Sequence, residues 1–212
     1  TPAFFAENGW TAPEAYGRRG GWTYLESFKT ALKHKPRVVM LHQFNEFTGQ
    51  REGHGYGSEN NIYVDSYSVE KSDDLEPVSL TTPGYRGDQG GWGFYYLNLT
   101  QALVDIYRGK AEGVTLMAVH LSRPSEEVVK LEWTTVGDNP DSYNVMLNGN
   151  LIAEGTKELE TLISLDGLKP GKHTVKVIAN GTETRYALSK KSLDIPTDEM
   201  RPVIVEKTFK VE

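Results

Sequence analysis

The sequence predicts an α/β part followed by an all-β part, on three observations. The run Val38-Val39-Met40-Leu41-His42-Gln43-Phe44 is apolar and β-prone, and it stops at Asn45-Glu46 before a glycine-rich loop. Segments with helical apolar spacing lie on both sides of it, and towards residue 112 the chain changes to short alternating runs between turn signals. Alternating helices and strands predict parallel βα units, and short strands at regular spacing predict a sandwich. The expected architecture is the C-terminal βα units of a partial (β/α)8 TIM-type barrel over residues 1–111, followed by an immunoglobulin-like β-sandwich over residues 112–212.

Each element has its own basis. Pro2 to Ala6 reads as a short strand. Thr23 to His34 places Tyr24, Leu25, Phe28, Ala31 and Leu32 near one face, and Pro36 ends that helix ahead of the Val38 strand. Gly93 to Arg108 puts Phe94, Leu97, Leu103, Ile106 and Tyr107 on an apolar stripe, with Gly109 as a C-terminal stop. This part supplies only two or three βα units, where a closed barrel takes about 250 residues. The chain is therefore expected to be a trimmed C-terminal fragment that needs a missing N-terminal part of the barrel as its partner; a small open α/β sheet complete in itself is the alternative.

In the second part, Val128 to Trp133 and Ser142 to Leu147 alternate inward and outward residues, and Asn148-Gly149-Asn150 supplies a hairpin turn that tolerates positive φ. Leu168-Lys169-Pro170-Gly171 turns the chain into a strand from His173 to Ala179, and Val203 to Val211 forms the last strand.

Composition narrows the function. The chain has 212 residues, 38% hydrophobic and 25% charged, with net charge −6, pI near 5.5 and no cysteine. The acidic balance argues against nucleic acid, whose binding relies on Lys and Arg displacing counterions. No stretch approaches the roughly 20 apolar residues of a membrane helix, and thiol chemistry is closed off. No phosphate-binding loop or serine nucleophile elbow is present, and neither cofactor nor metal is expected; Asp65, Asp73 and Asp74 miss the spacing of a calcium loop.

Glu46 is the foremost catalytic candidate, because a carboxylate at the C-terminal end of a barrel strand faces the mouth where the chemistry sits. Asn45 beside it is a candidate hydrogen bond to a sugar hydroxyl or a backbone cap. His42 shares the strand parity of Glu46, and reads as a site residue or a satisfied core histidine. The loop from Gly49 to Gly91 is long, and its tyrosines (Tyr56, Tyr63, Tyr67, Tyr85), with Trp92, suit the apolar faces of sugars. Tyr63, Trp92 and Glu76 are thus candidate substrate contacts, as is Trp10 after the first strand, with Arg18, Arg19 and Trp22 nearby. Glycosidic cleavage needs two carboxylates about 5 to 9.5 Å apart, so Glu46 requires a partner. Arg86-Gly87-Asp88 reads as a turn, and Asn98-Leu99-Thr100 and Asn180-Gly181-Thr182 fit the glycosylation pattern, the first on an expected helix.

Two resemblances add to this. The Leu-Glu-Trp strand, the Tyr-Asn-Val-Met-Leu-Asn-Gly hairpin and the Gly-Leu-Lys-Pro-Gly turn before Val-Lys-Val-Ile-Ala resemble a fibronectin type III domain, a spacer or adaptor without catalysis; His173 stands where that family often has Tyr. Phe44-Asn45-Glu46-Phe47, Asp74-Leu75-Glu76-Pro77 and Gly93-Phe94-Tyr95-Tyr96-Leu97 are similar to the last barrel strands of the endo-α-mannosidase and endomannanase type of glycoside hydrolase. That likeness implies a polysaccharide or glycan substrate, a periplasmic or cell-surface location in a bacterium, and a catalytic carboxylate at Glu46. The partner carboxylate of that pattern falls on Gly49, leaving Glu52, Glu59 or Glu76 for the role. The alternative is a non-catalytic glycan-binding or cell-surface protein on the same scaffold; a purely structural adhesion module leaves the aromatic loop unexplained.

Overall fold

The computed structural model describes residues 6, 12, 15–42, 44, 69–82 and 90–212. The chain divides into two compact units: Thr1–Arg19, Ala31–Val104 and Leu188–Ile195 form one, and Gly20–Thr30, Asp105–Ala187 and Pro196–Glu212 form the other. The described α-helices are α1 (Trp22–His34) and α2 (Tyr95–Tyr107). Leu25 and Phe28 are buried on α1; on α2, Tyr96, Leu99, Ala102 and Leu103 are buried, the spacing of an amphipathic helix.

The second unit carries seven strands: β1 (Thr115–Ser125), β2 (Val128–Gly137), β3 (Ser142–Leu147), β4 (Asn150–Thr156), β5 (Glu160–Ser164), β6 (Gly171–Thr184) and β7 (Arg201–Val211). They make two antiparallel sheets, ordered β1-β2-β5 and β4-β3-β6-β7, in a β-sandwich arrangement. Period-two alternation builds the core. Val175, Val177 and Ala179 of β6 are buried, while Lys176 between them pairs with Glu206 of β7 at 3.5 Å. Met117, Val119, Leu131, Trp133, Tyr143 and Val145 complete the interior.

The β3–β4 hairpin shows why Asn-Gly stands at its turn. Asn148 and Gly149 both adopt positive φ (50° and 84°), the combination that matches strand twist in a two-residue turn. Asn148 is also a hub: its Oδ1 accepts from the Thr174 amide at 3.0 Å, and its side-chain amide lies 2.8 Å from Nδ1 of His173. His173 is buried, stacks on Phe209, and contacts the Lys169 carbonyl through Nε2 at 2.8 Å. Both ring nitrogens of this imidazole are thus engaged.

The barrel expectation is overturned. The described secondary structure is mainly antiparallel strand in two sheets, with two α-helices and no repeating βα units. Val38 to His42, expected as a barrel strand, belong to neither sheet, and Val38 and Met40 are 75% and 81% exposed. A strand of a parallel barrel is covered on both faces, so this exposure is incompatible with that role. Local β preference reports fitness for a covered pleated surface, which this segment lacks here. Of the expected strand Pro2 to Ala6, only Ala6 is described, and its backbone is helical. No described helix is long and apolar enough to cross a membrane.

Candidate functional site

The first unit gathers charged groups around Arg18. Its guanidinium lies over the ring of Trp92 at 4.2 Å and the ring of Tyr96 at 4.1 Å, and the residue is only 5% exposed. Helix α2 supplies Tyr96, and Trp92 comes from the segment just before it. Arg18 Nε donates to the Ser72 carbonyl and Nη2 to the Asp74 carbonyl, with Ser72 Oγ at 3.4 Å from Nη2. Burial draws the guanidinium below its ordinary range, and Tyr96, Asp73 and Asp74 oppose that.

The approach of the chain to this point requires a glycine. A Cβ on Gly17 would stand 2.1 Å from the Glu70 carbonyl oxygen, so Gly17 lets the backbone pass close enough for the Arg18 amide to donate to that oxygen at 2.8 Å. The Glu70 carboxylate then accepts from the Arg19 amide at 3.0 Å, and burial pushes its pKa above the usual carboxylate range despite that donor.

From Ser72 the chain runs through an acidic stretch whose backbone is tied down on both sides. The Leu75 and Glu76 amides both donate to the Phe44 carbonyl, at 3.2 and 2.8 Å, and the Glu76 carbonyl accepts from Trp92 Nε1 at 2.7 Å. Ser72 and Asp74 are fully buried. Arg18 Nη1, Asp73 Oδ1 and Glu76 Oε2 are buried and find no hydrogen-bond partner among the described residues. Buried polar atoms of this kind call for a polar partner such as water or a ligand hydroxyl.

The candidates from the sequence distribute as follows. Glu46, Asn45, Trp10 and Tyr63 lie outside the described residues, as do Asp65 and the Arg86-Gly87-Asp88 tripeptide. Glu76 and Trp92 come together through the hydrogen bond above. Trp92 is 1% exposed, so its ring packs on Arg18 and is closed to a sugar face. His42 is exposed and outside this cluster's hydrogen bonds. Arg18, noted in the sequence only as a flanking contact, is the centre of the cluster; its proximity to Ser72 and Asp74 rests on long-range folding that spacing does not encode.

Both glycosylation-type asparagines are engaged in the structure. Asn98 donates to the Ser189 and Ser192 carbonyls at 2.7 and 2.9 Å, and Asn180 donates to Ser142 Oγ and Asn144 Oδ1. A cleft of about 520 Å³ in the sandwich unit, lined by residues including Asp138, Ile178, Thr182, Glu183 and Pro202, contains none of the candidate residues. The acidic cluster of the first unit is the better candidate site on chemical grounds. No protein-family model matches the chain, and no curated protein matches it.

Proposed function

We propose that the protein is a carbohydrate-active hydrolase that cleaves glycosidic bonds of a polysaccharide or glycan with a pair of carboxylates, Glu46 and Glu76. The observation that carries this reading is the convergence of the Leu75 and Glu76 amides on the Phe44 carbonyl. Glu46 follows Phe44 by two residues in the sequence, and Phe44 is the residue to which the Glu76 backbone is hydrogen-bonded. Glycosidic cleavage uses two carboxylates about 5 to 9.5 Å apart, and Glu46 with Glu76 is proposed as that pair. Glu76 thereby takes the place that Gly49 leaves vacant in the sequence pattern.

The test is release of reducing ends from a panel of mannans and other glycans by the protein, its Glu46→Gln form and its Glu76→Gln form. Each substitution keeps shape and removes the ionisable group. Either is expected to lower the rate by about 10² to 10⁴-fold, the usual contribution of one acid/base group. Binding without cleavage by all three proteins would instead support a non-catalytic glycan-binding protein.

A further inference from the structure

We infer that Arg18 is the positioning residue of Glu76, fixing its place through the backbone of the acidic stretch. The inference rests on the hydrolase reading for its role and on the geometry around Arg18 for its mechanism.

Residues 72–75 have no regular secondary structure, yet Ser72 and Asp74 are fully buried. Their carbonyls have no helix or sheet ladder to receive them, and a buried carbonyl left unpaired costs about 1 to 3 kcal/mol. Arg18 supplies the donors: one edge of its guanidinium addresses carbonyls two residues apart, and Ser72 Oγ reinforces the turn by accepting from the Asp74 amide at 3.2 Å. The guanidinium plane is itself fixed by the Trp92 and Tyr96 rings, so its donors are aimed before the stretch docks.

The next two amides along the chain, Leu75 and Glu76, are the ones that bind Phe44, and the Glu76 carbonyl is held by the same Trp92 that stacks on Arg18. Moving the guanidinium therefore moves Glu76 at both its amide and its carbonyl. Among the described residues Arg18 is linked to Glu76 through these groups and makes no hydrogen bond to its carboxylate, so it acts as a positioning residue. A lysine offers a point charge with no plane to stack and no fork to span two carbonyls.

Hydrogen exchange of backbone amides in Arg18→Lys, with kinetics on the most reactive glycan of the panel, tests this. Exchange at Leu75 and Glu76 is expected to quicken about tenfold or more, while amides in the sandwich strands, such as Val145 and Val177, keep their rates. The rate of turnover should fall while KM stays nearly constant. In Arg18→Ala, low-millimolar guanidinium chloride should slow the exchange again by refilling the slot between Trp92 and Tyr96, a recovery that a general loss of stability does not give. Unchanged exchange at Leu75 and Glu76, equal acceleration in both units, or altered exchange with wild-type turnover would each overturn the inference. If the wild type cleaves nothing, the hydrolase reading falls, and the exchange rates and guanidinium rescue still decide whether Arg18 holds this stretch.

Discussion

Replacing Asn98 by alanine is expected to destabilise the protein by about 3 to 5 kcal/mol, beyond the usual range for one substitution. Asn98 is 1% exposed, and its side chain makes three hydrogen bonds to one segment: to the Ser189 and Ser192 carbonyls, and from the Asp194 amide at 2.7 Å. That segment, Leu188–Ile195, belongs to the first unit although it lies between β6 and β7 in sequence. It is further tied by the Phe94 amide donating to the Lys190 carbonyl and by the Leu188 amide donating to Asp194. Truncation at Asn98 leaves two carbonyls and an amide of this half-buried segment without their side-chain partner and opens a cavity at a fully buried side chain, so several losses add. Thermal unfolding should show a midpoint lower by about 10 °C. Thr100→Val removes the same glycosylation pattern while sparing Asn98, and it removes the Thr100 hydroxyl bond to the Tyr96 carbonyl. Equal midpoints for the two variants would contradict the structural role.

Trp133→Ala is expected to cost the sandwich about 3 to 5 kcal/mol, the range for emptying a large aromatic site. Trp133 is 1% exposed on β2, meets Tyr143 edge to face at a centroid distance of 5.6 Å, and belongs to the core shared by both sheets. Its indole Nε1 is buried and finds no acceptor among the described residues. That predicts an asymmetry. Trp133→Phe leaves a smaller cavity and also removes the unpaired donor, so its cost should be well below that of the alanine form. Urea unfolding would show midpoints in the order wild type, phenylalanine, alanine with unchanged slope. A phenylalanine form as unstable as the alanine form would indicate that the indole N–H is satisfied after all.

What the sequence allowed to be read follows from how local the causes were. The periodicity of Thr23 to His34 and Gly93 to Arg108 corresponds to helices α1 and α2, because an apolar stripe is a local property. Alternation at Val128 to Trp133 and Ser142 to Leu147, and the Asn148-Gly149 turn, correspond to β2, β3 and the hairpin into β4. Strand β5 carries a single fully buried side chain, Ile163, with Leu162 64% exposed, so its pattern was too weak to single out. The failure at Val38 to His42 has the opposite origin. A β-prone run says nothing about whether other chain segments arrive to cover it, and Val38 and Met40 stand exposed. Within the candidate site, Glu76 was legible as an acid before a proline, but its link to Phe44 and the burial of Arg18 between two rings depend on residues brought together from far apart in sequence.

Glu46 and Glu76 are proposed to act as one acid/base pair. The most direct measurement is the rate of reducing-end release from a cleaved glycan by the wild type, Glu46→Gln, Glu76→Gln and the double variant. Each single variant should lose about 10² to 10⁴-fold in rate, and the double variant should fall little further, because groups that act as one unit are not additive. A Glu76→Gln form with a near wild-type rate would contradict the pairing and return Glu76 to a structural role beside Trp92.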